Sequence, residues 1–275
     1  RYIFKQELQK INSLNLKINA LKKSRLSEIQ KIFFLIEDCK NFGTLPFAGA
    51  ARMAFVTTQI LRNLIEKKLL NELDIQKLYE SIPTITKEIF GLSKKALKDK
   101  TQKKLFIKKF GHLRPSTYSI NSLNYKEGFN IYFSKSVSNN RILKKEKFVL
   151  SKKKHKEIKD LLKKNNINIT SKNFFNILNK SIQFREYFKF IFSKSINEIF
   201  SSLNKLGKQI GIKREELEYI SIDKIINSYS VLETRKLSQI LKEEIRNNKK
   251  SFSITKKIVF PDFIASEKDI YFQKL

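Results

Sequence analysis

Two short stretches hold most of the side chains able to do chemistry. Residues 110–118, FGHLRPSTY, set His112 and Arg114 two positions apart behind Gly111. The chain has only 2 histidines, 4 prolines and 7 glycines, so scarce types are concentrated here. An imidazole and a guanidinium on a glycine-opened turn after a long helical run suit an exposed polar constellation. Residues 184–200, FREYFKFIFSKSINEIF, place Arg185 and Lys189 at i and i+4, one turn apart on one helix face. That pair has the spacing to grip an anionic or phosphorylated group. Arg52, inside GAARMAF (49–55), is a further candidate cation in a stretch that otherwise reads as helix packing.

Each feature has a structural alternative. Gly111 can end the preceding helix in the left-handed conformation, with His112 and Arg114 bonding its last carbonyls. Arg185 and Lys189 can form a solvated face beside Glu186. Cys39 and Met53 read as core, and His155, amid KKKHKE, as a surface residue. There is no glycine-rich phosphate loop, no cluster of acids placed to hold magnesium and no Cys/His metal set.

The elements that position these residues are mostly helical. Residues 1–40 repeat Ile3, Phe4, Leu8, Ile11 and Leu14 at steps of three and four. GTLP (43–46) reads as a break, with Pro46 in the first turn of a helix from about 47 to 70. The small residues Ala48, Gly49, Ala50 and Ala51 would let another backbone approach. SIPT (81–84) offers Ser81 or Thr84 as a cap for a helix running to about Phe110. The segment 111–150 lacks helical spacing, and FNIYF (129–133) alternates as a strand would. Ser151 caps the next helix, and further helices are expected near 171–183, 184–208, 213–227 and 231–248. RYIFKQELQKI at the start echoes KFIFSKSINEI (189–199), as two similar amphipathic helices or a duplicated hairpin would.

The pattern predicts a mainly α, multi-helix fold with a small irregular or β insertion near 111–150. Its parts are an N-terminal helical part (1–110), the insertion, a C-terminal helical part of the same domain (151–256) and a β-rich lead (257–275).

At 275 residues and 41% hydrophobic content, with 23 phenylalanines, the chain can bury a real core. One cysteine excludes an internal disulfide framework and fits a reducing, cytoplasmic setting. No apolar run is long enough to span a membrane. The net charge of +31 invites a nucleic-acid partner. However, only 10 of the 57 basic residues are arginine, the type suited to bidentate phosphate and base contacts. The abundant lysine, asparagine (22), isoleucine and phenylalanine share A/T-rich codons, so the charge reads as composition more than as a nucleic-acid footprint.

Three segments in order carry a family resemblance: GTLPFAGAARMAF (43–55), FGHLRPSTYSINSLNYKE (110–127) and FREYFKFIFSKSINEIF (184–200). Together they resemble the central helical region of the phosphoenolpyruvate synthase and pyruvate phosphate dikinase family, which includes rifampicin phosphotransferases. The likeness runs from about residue 41 to the end, and more loosely over the first 40 residues. It implies a substrate-side domain between an ATP-grasp domain and a swivelling domain with a phosphorylatable histidine. It also implies ATP and Mg2+ in the full-length protein, none bound by this segment alone, and a small-molecule phosphate acceptor. His112, Arg114, Arg185, Lys189 and Arg52 would then line the acceptor side, because positioned cations stabilise a transferring phosphoryl group. The tail would lead into the missing phosphohistidine domain. The sequence departs from the family pattern at Ser116, Ser119, Asn124 and Lys126, where glycine, an acid, arginine and aspartate are usual. The expected function is therefore the substrate-side domain of an ATP-dependent phosphotransferase. The alternatives are a basic nucleic-acid-binding helical module and a degenerate, non-catalytic scaffold.

Overall fold

The computed structural model describes residues 2–133, 148–231, 233–258 and 261–271. Among them there is no strand, and the fold is mainly α and multi-helix. The chain forms two compact units. The first comprises Arg1–Lys23, Leu35–Thr117 and Ser122–Glu198, and the second Ser24–Phe34, Tyr118–Asn121 and Ile199–Leu275.

The first unit begins with α1 (Tyr2–Lys23) and takes in the end of α2 (Glu28–Asp38). GTLP is not a break. A π-helical segment, Cys39–Thr44, carries the chain directly into α3 (Leu45–Glu66), and Pro46 lies in the first turn of α3, where its missing N–H costs little. The close approach comes at Gly43, where an added Cβ would lie 2.9 Å from that of Phe192; Gly49 has nothing within 4 Å. Met53 is exposed, whereas Cys39 is buried as expected.

α4 (Glu72–Ser81) opens with a capping box between Asn71 and Asp74. Thr84 caps α5 (Ile85–Ala96) by accepting from the Lys87 amide. Lys87 reaches back, its Nζ donating to the carbonyls of Tyr79, Glu80 and Ile82 at 2.7–2.8 Å, and so satisfies the open end of α4. The helix expected to reach Phe110 stops at Ala96. Asp99 leaves helical geometry and accepts from the Thr101 amide at 2.7 Å, starting α6 (Lys100–Phe110).

FNIYF is a helix, α7 (Phe129–Phe133), not a strand. Phe129 and Phe133 are four residues apart, and a helix puts both rings on Phe106, at 5.5 and 5.2 Å. A strand would separate the two rings along the chain. The rest of the expected insertion, 134–147, lies outside the described residues.

Ser151 caps α8 (Lys152–Lys164). His155 is half-buried, not a surface residue, and its Nδ1 lies 2.6 Å from the buried Ser171 hydroxyl. Ile158 and Leu162 of α8 join Leu61 and Leu64 of α3, Ile75 and Leu78 of α4, and Phe174, Phe175 and Leu178 in one core. The last three open α9 (Ser171–Ile210), a single 40-residue helix where two were expected. No proline or glycine lies near 183, and Ser181 donates to the Ile177 carbonyl within the helix at 2.9 Å instead of capping a new one.

The second unit holds α9 from Ile199 onward, α10 (Arg214–Leu217), α11 (Ile222–Asn227), α12 (Thr234–Thr255) and α13 (Glu267–Ile270). Gly211, at φ +70°, ends α9, and the Ile212 amide returns to the Gly207 carbonyl at 2.8 Å. Leu206, Ile210, Leu217, Ile225, Leu237 and Leu241 are buried. The tail expected to be β-rich holds turns and α13, with no strand among its described residues. No helix among the described residues is long and apolar enough to cross a membrane.

Candidate functional site

The turn after α6 is built from its backbone outward. Gly111 caps α6 in right-handed geometry, φ −58°, so the expected left-handed cap is wrong at this glycine. A side chain is excluded for a different reason: a Cβ there would be driven into the Ile107 carbonyl oxygen. The loop closes through the Tyr125 amide on the Leu113 carbonyl (2.7 Å) and the Lys126 amide on the Gly111 carbonyl (3.1 Å).

That closure sets His112 and Arg114 against α9, within the first unit. The imidazole Nε2–H donates to the Phe190 carbonyl at 3.2 Å, leaving Nδ1 as the acceptor of the neutral ring. The ring also meets the Phe190 ring edge-on at 4.9 Å. Arg114 is buried, not exposed as the turn suggested, because it donates to Asn197 Oδ1 at 2.7 Å and to the Ser122 carbonyl at 3.3 Å. Asn124 donates to the same Asn197 oxygen at 3.1 Å and accepts from the Glu127 amide at 2.8 Å. An arginine at 124 would have no acceptor to offer that amide, so Asn124 has a local structural role.

Two lysines complete the cluster. Lys194 lies over the Phe190 ring at 5.2 Å, and Lys109 lies over Phe110 and is ion-paired with Glu88. The Phe110 and Phe190 rings are 5.7 Å apart. Burial, then the charges of Lys194 and Arg114, push the His112 imidazole down to about 4, so it is neutral at pH 7. Burial and the nearby Lys109 charge lower Lys194 as well.

α9 fixes which cations belong together. At 3.6 residues per turn, Gln183, Phe184, Tyr187, Phe190, Lys194 and Asn197 fall within a stripe of roughly 140°. Arg185 and Lys189 lie about 150–170° from the middle of that stripe, and both are exposed. His112 and Arg114 thus come together, while Arg185 and Lys189 occupy the far face of α9. Arg52 is exposed on α3, its Nε donating to the Ala48 carbonyl of its own helix at 3.3 Å. Lys194, Asn197 and Lys109 were missed in the sequence, and Asn124 stood out only as a departure from the resembled pattern. The signal for the first two was their alignment with Tyr187 and Phe190 at steps of three and four.

The same stripe borders a groove of about 910 Å³ between the α4–α5 turn and α9. Ile82, Pro83, Ile85, Phe184 and Tyr187 supply its apolar walls, and Glu80 and Glu88 its carboxylates. Among the described residues no three or more His, Cys, Asp or Glu side chains converge as a metal would require. No protein-family model, curated protein or solved structure matches this chain.

Proposed function

We propose that this chain is the substrate-side domain of an ATP-dependent phosphotransferase resembling phosphoenolpyruvate synthase. ATP, Mg2+ and the phosphate-carrying histidine would belong to ATP-grasp and swivelling domains, in the same or a companion chain. One observation carries the reading. The FGHLRPSTY turn, the segment most specific to the resemblance, sets His112 and Arg114 against the stripe of α9 that carries Lys194, with the charge of Lys109 on α6 nearby. Such a cluster is suited to an anionic group, because fixed cations stabilise phosphoryl oxygens without reorganising.

His112 does not have the surroundings of the carrier. A phosphorylated histidine must swing between sites, and this ring is half-buried and bonded to α9. Its part is to position the turn, since its one N–H is spent on the Phe190 carbonyl of α9. The test uses radiolabelled ATP. The isolated chain should remain unlabelled. In the protein with its ATP-grasp and phosphohistidine domains, Lys194→Gln should slow transfer at least roughly tenfold, while Lys153→Gln, on the exposed face of α8, leaves it unchanged. Label on the isolated chain, or equal and trivial effects of both substitutions, refutes the reading.

A further inference from the structure

The groove and the cation cluster are adjacent parts of one surface within the first unit. Tyr187, which lines the groove, and Phe190, on which His112 and Lys194 rest, are about one turn apart on the same stripe of α9. Glu88 joins the two regions, since it lines the groove and ion-pairs with Lys109.

We infer that this surface is a single binding site for a small molecule with an apolar, ring-containing body and one acidic end. The body would lie between Ile82, Pro83 and Ile85 on one side and Phe184 and Tyr187 on the other. The acidic group would lie at Lys194.

Three observations select that ligand. A volume of about 910 Å³ suits a ring-sized molecule, and the walls are apolar with two aromatic rings. The carboxylates of Glu80 and Glu88 line the groove, which disfavours placing an acid there and directs it to the Lys194 end. At that end Lys109, His112, Arg114 and Lys194 crowd together. An anion offsets the charge of Lys194, which the neighbouring Lys109 and Arg114 reinforce, while the neutral imidazole, bonded through Nε2–H to the Phe190 carbonyl, braces the turn against α9. Lys87 takes no part, because its Nζ is bound to three carbonyls of the preceding turn. As an account of the phosphate acceptor the inference rests on the phosphotransferase reading; as an account of binding it needs neither ATP nor a companion domain.

The probe is 8-anilinonaphthalene-1-sulfonate, which has two ring systems and one acid, with its uncharged parent N-phenyl-1-naphthylamine for comparison. The chain should bind the sulfonate at one saturable site. Lys194→Gln should weaken that binding roughly tenfold or more and leave the uncharged probe unchanged. Phe184→Ala should weaken both probes; if it unfolds the chain, Ile85→Ala serves in its place. Arg185→Gln, on the far face of α9, should weaken neither. Far-UV and near-UV circular dichroism of each variant separates site binding from dye uptake by a loosened core. Absence of a saturable site, indifference to Lys194→Gln, or an equal loss with Arg185→Gln overturns the inference. A positive result with no transfer in the radiolabel assay would leave the site standing and remove only the phosphotransferase reading.

Discussion

His112 shows how a single residue couples the turn to stability. Its imidazole titrates near 4 because burial, Lys194 and Arg114 all oppose the charged form, against about 6.5 for a free ring. As pH falls, the unfolded chain therefore takes up this proton before the folded one does. The contribution is complete above about pH 6.5, declines between there and about pH 4, and is constant below. The loss should be on the order of 2 kcal/mol, since the half-buried ring keeps some contact with solvent. Urea unfolding at pH 7 and pH 4.5 reads it out. Wild type should lose more stability between the two than His112→Gln, which keeps a donor for the Phe190 carbonyl but does not titrate. The carboxylates contribute equally to both proteins and cancel. Equal losses would show that the ring is not held neutral.

Two glycines that look alike in sequence do different jobs at helix ends. Gly211 needs its conformation: φ is +70°, and the backbone closes the end of α9 there. Gly111 needs its missing side chain, since its φ is −58° and a Cβ would press on the Ile107 carbonyl. Substitution should separate them. Gly211→Ala should cost about 1 kcal/mol, and Gly211→Asn less, because asparagine tolerates left-handed geometry. Gly111→Ala should cost about 1–3 kcal/mol, with Gly111→Asn no better, because any Cβ overpacks. Chemical denaturation of the four variants decides it, and a rescue by asparagine at 111 would refute the distinction. The same contrast explains what was readable beforehand. Helix positions, and the caps at Thr84 and Ser151, followed from apolar spacing and hydroxyl placement, which are local. The stop at Asp99 was equally local, but the periodicity of the flanking lysines and leucines masked it. FNIYF alternated like a strand, and only its partner Phe106, some twenty residues away, selected the helix. The turn at 110–118 stood out by its scarce residues. Its partners on α9 did not, because the stripe holding Lys194 and Asn197 gains meaning only beside the turn.

Among the described residues, many of the lysines behind the net charge of +31 lie on the solvated faces of amphipathic helices. α8 is the clearest case: Lys152, Lys153, Lys156, Lys159, Lys163 and Lys164 are exposed, while Ile158 and Leu162 are buried in the core. Others are held by carboxylates, Lys154 by Asp74 at 2.7 Å and Lys249 by Glu216 at 2.8 Å. Arginine, the better reader of bases and phosphates, is sparse, and Arg114 is buried in hydrogen bonds to Asn197 and Ser122. Dispersed lysines still attract a polyanion through counterion release, so duplex DNA should bind, but without sequence preference. The affinity should fall steeply as salt rises, with a slope set by the number of phosphates neutralised. It should also be spread over many residues. Converting Lys152 and Lys153 to glutamine should lower affinity slightly and reduce the salt slope by roughly one to two, with no change in the order of preference among sequences. Fluorescence anisotropy with two unrelated duplexes across a salt series makes the measurement. A nanomolar, sequence-selective complex that survives physiological salt would place function in the charge itself and displace the proposed anion site on α9.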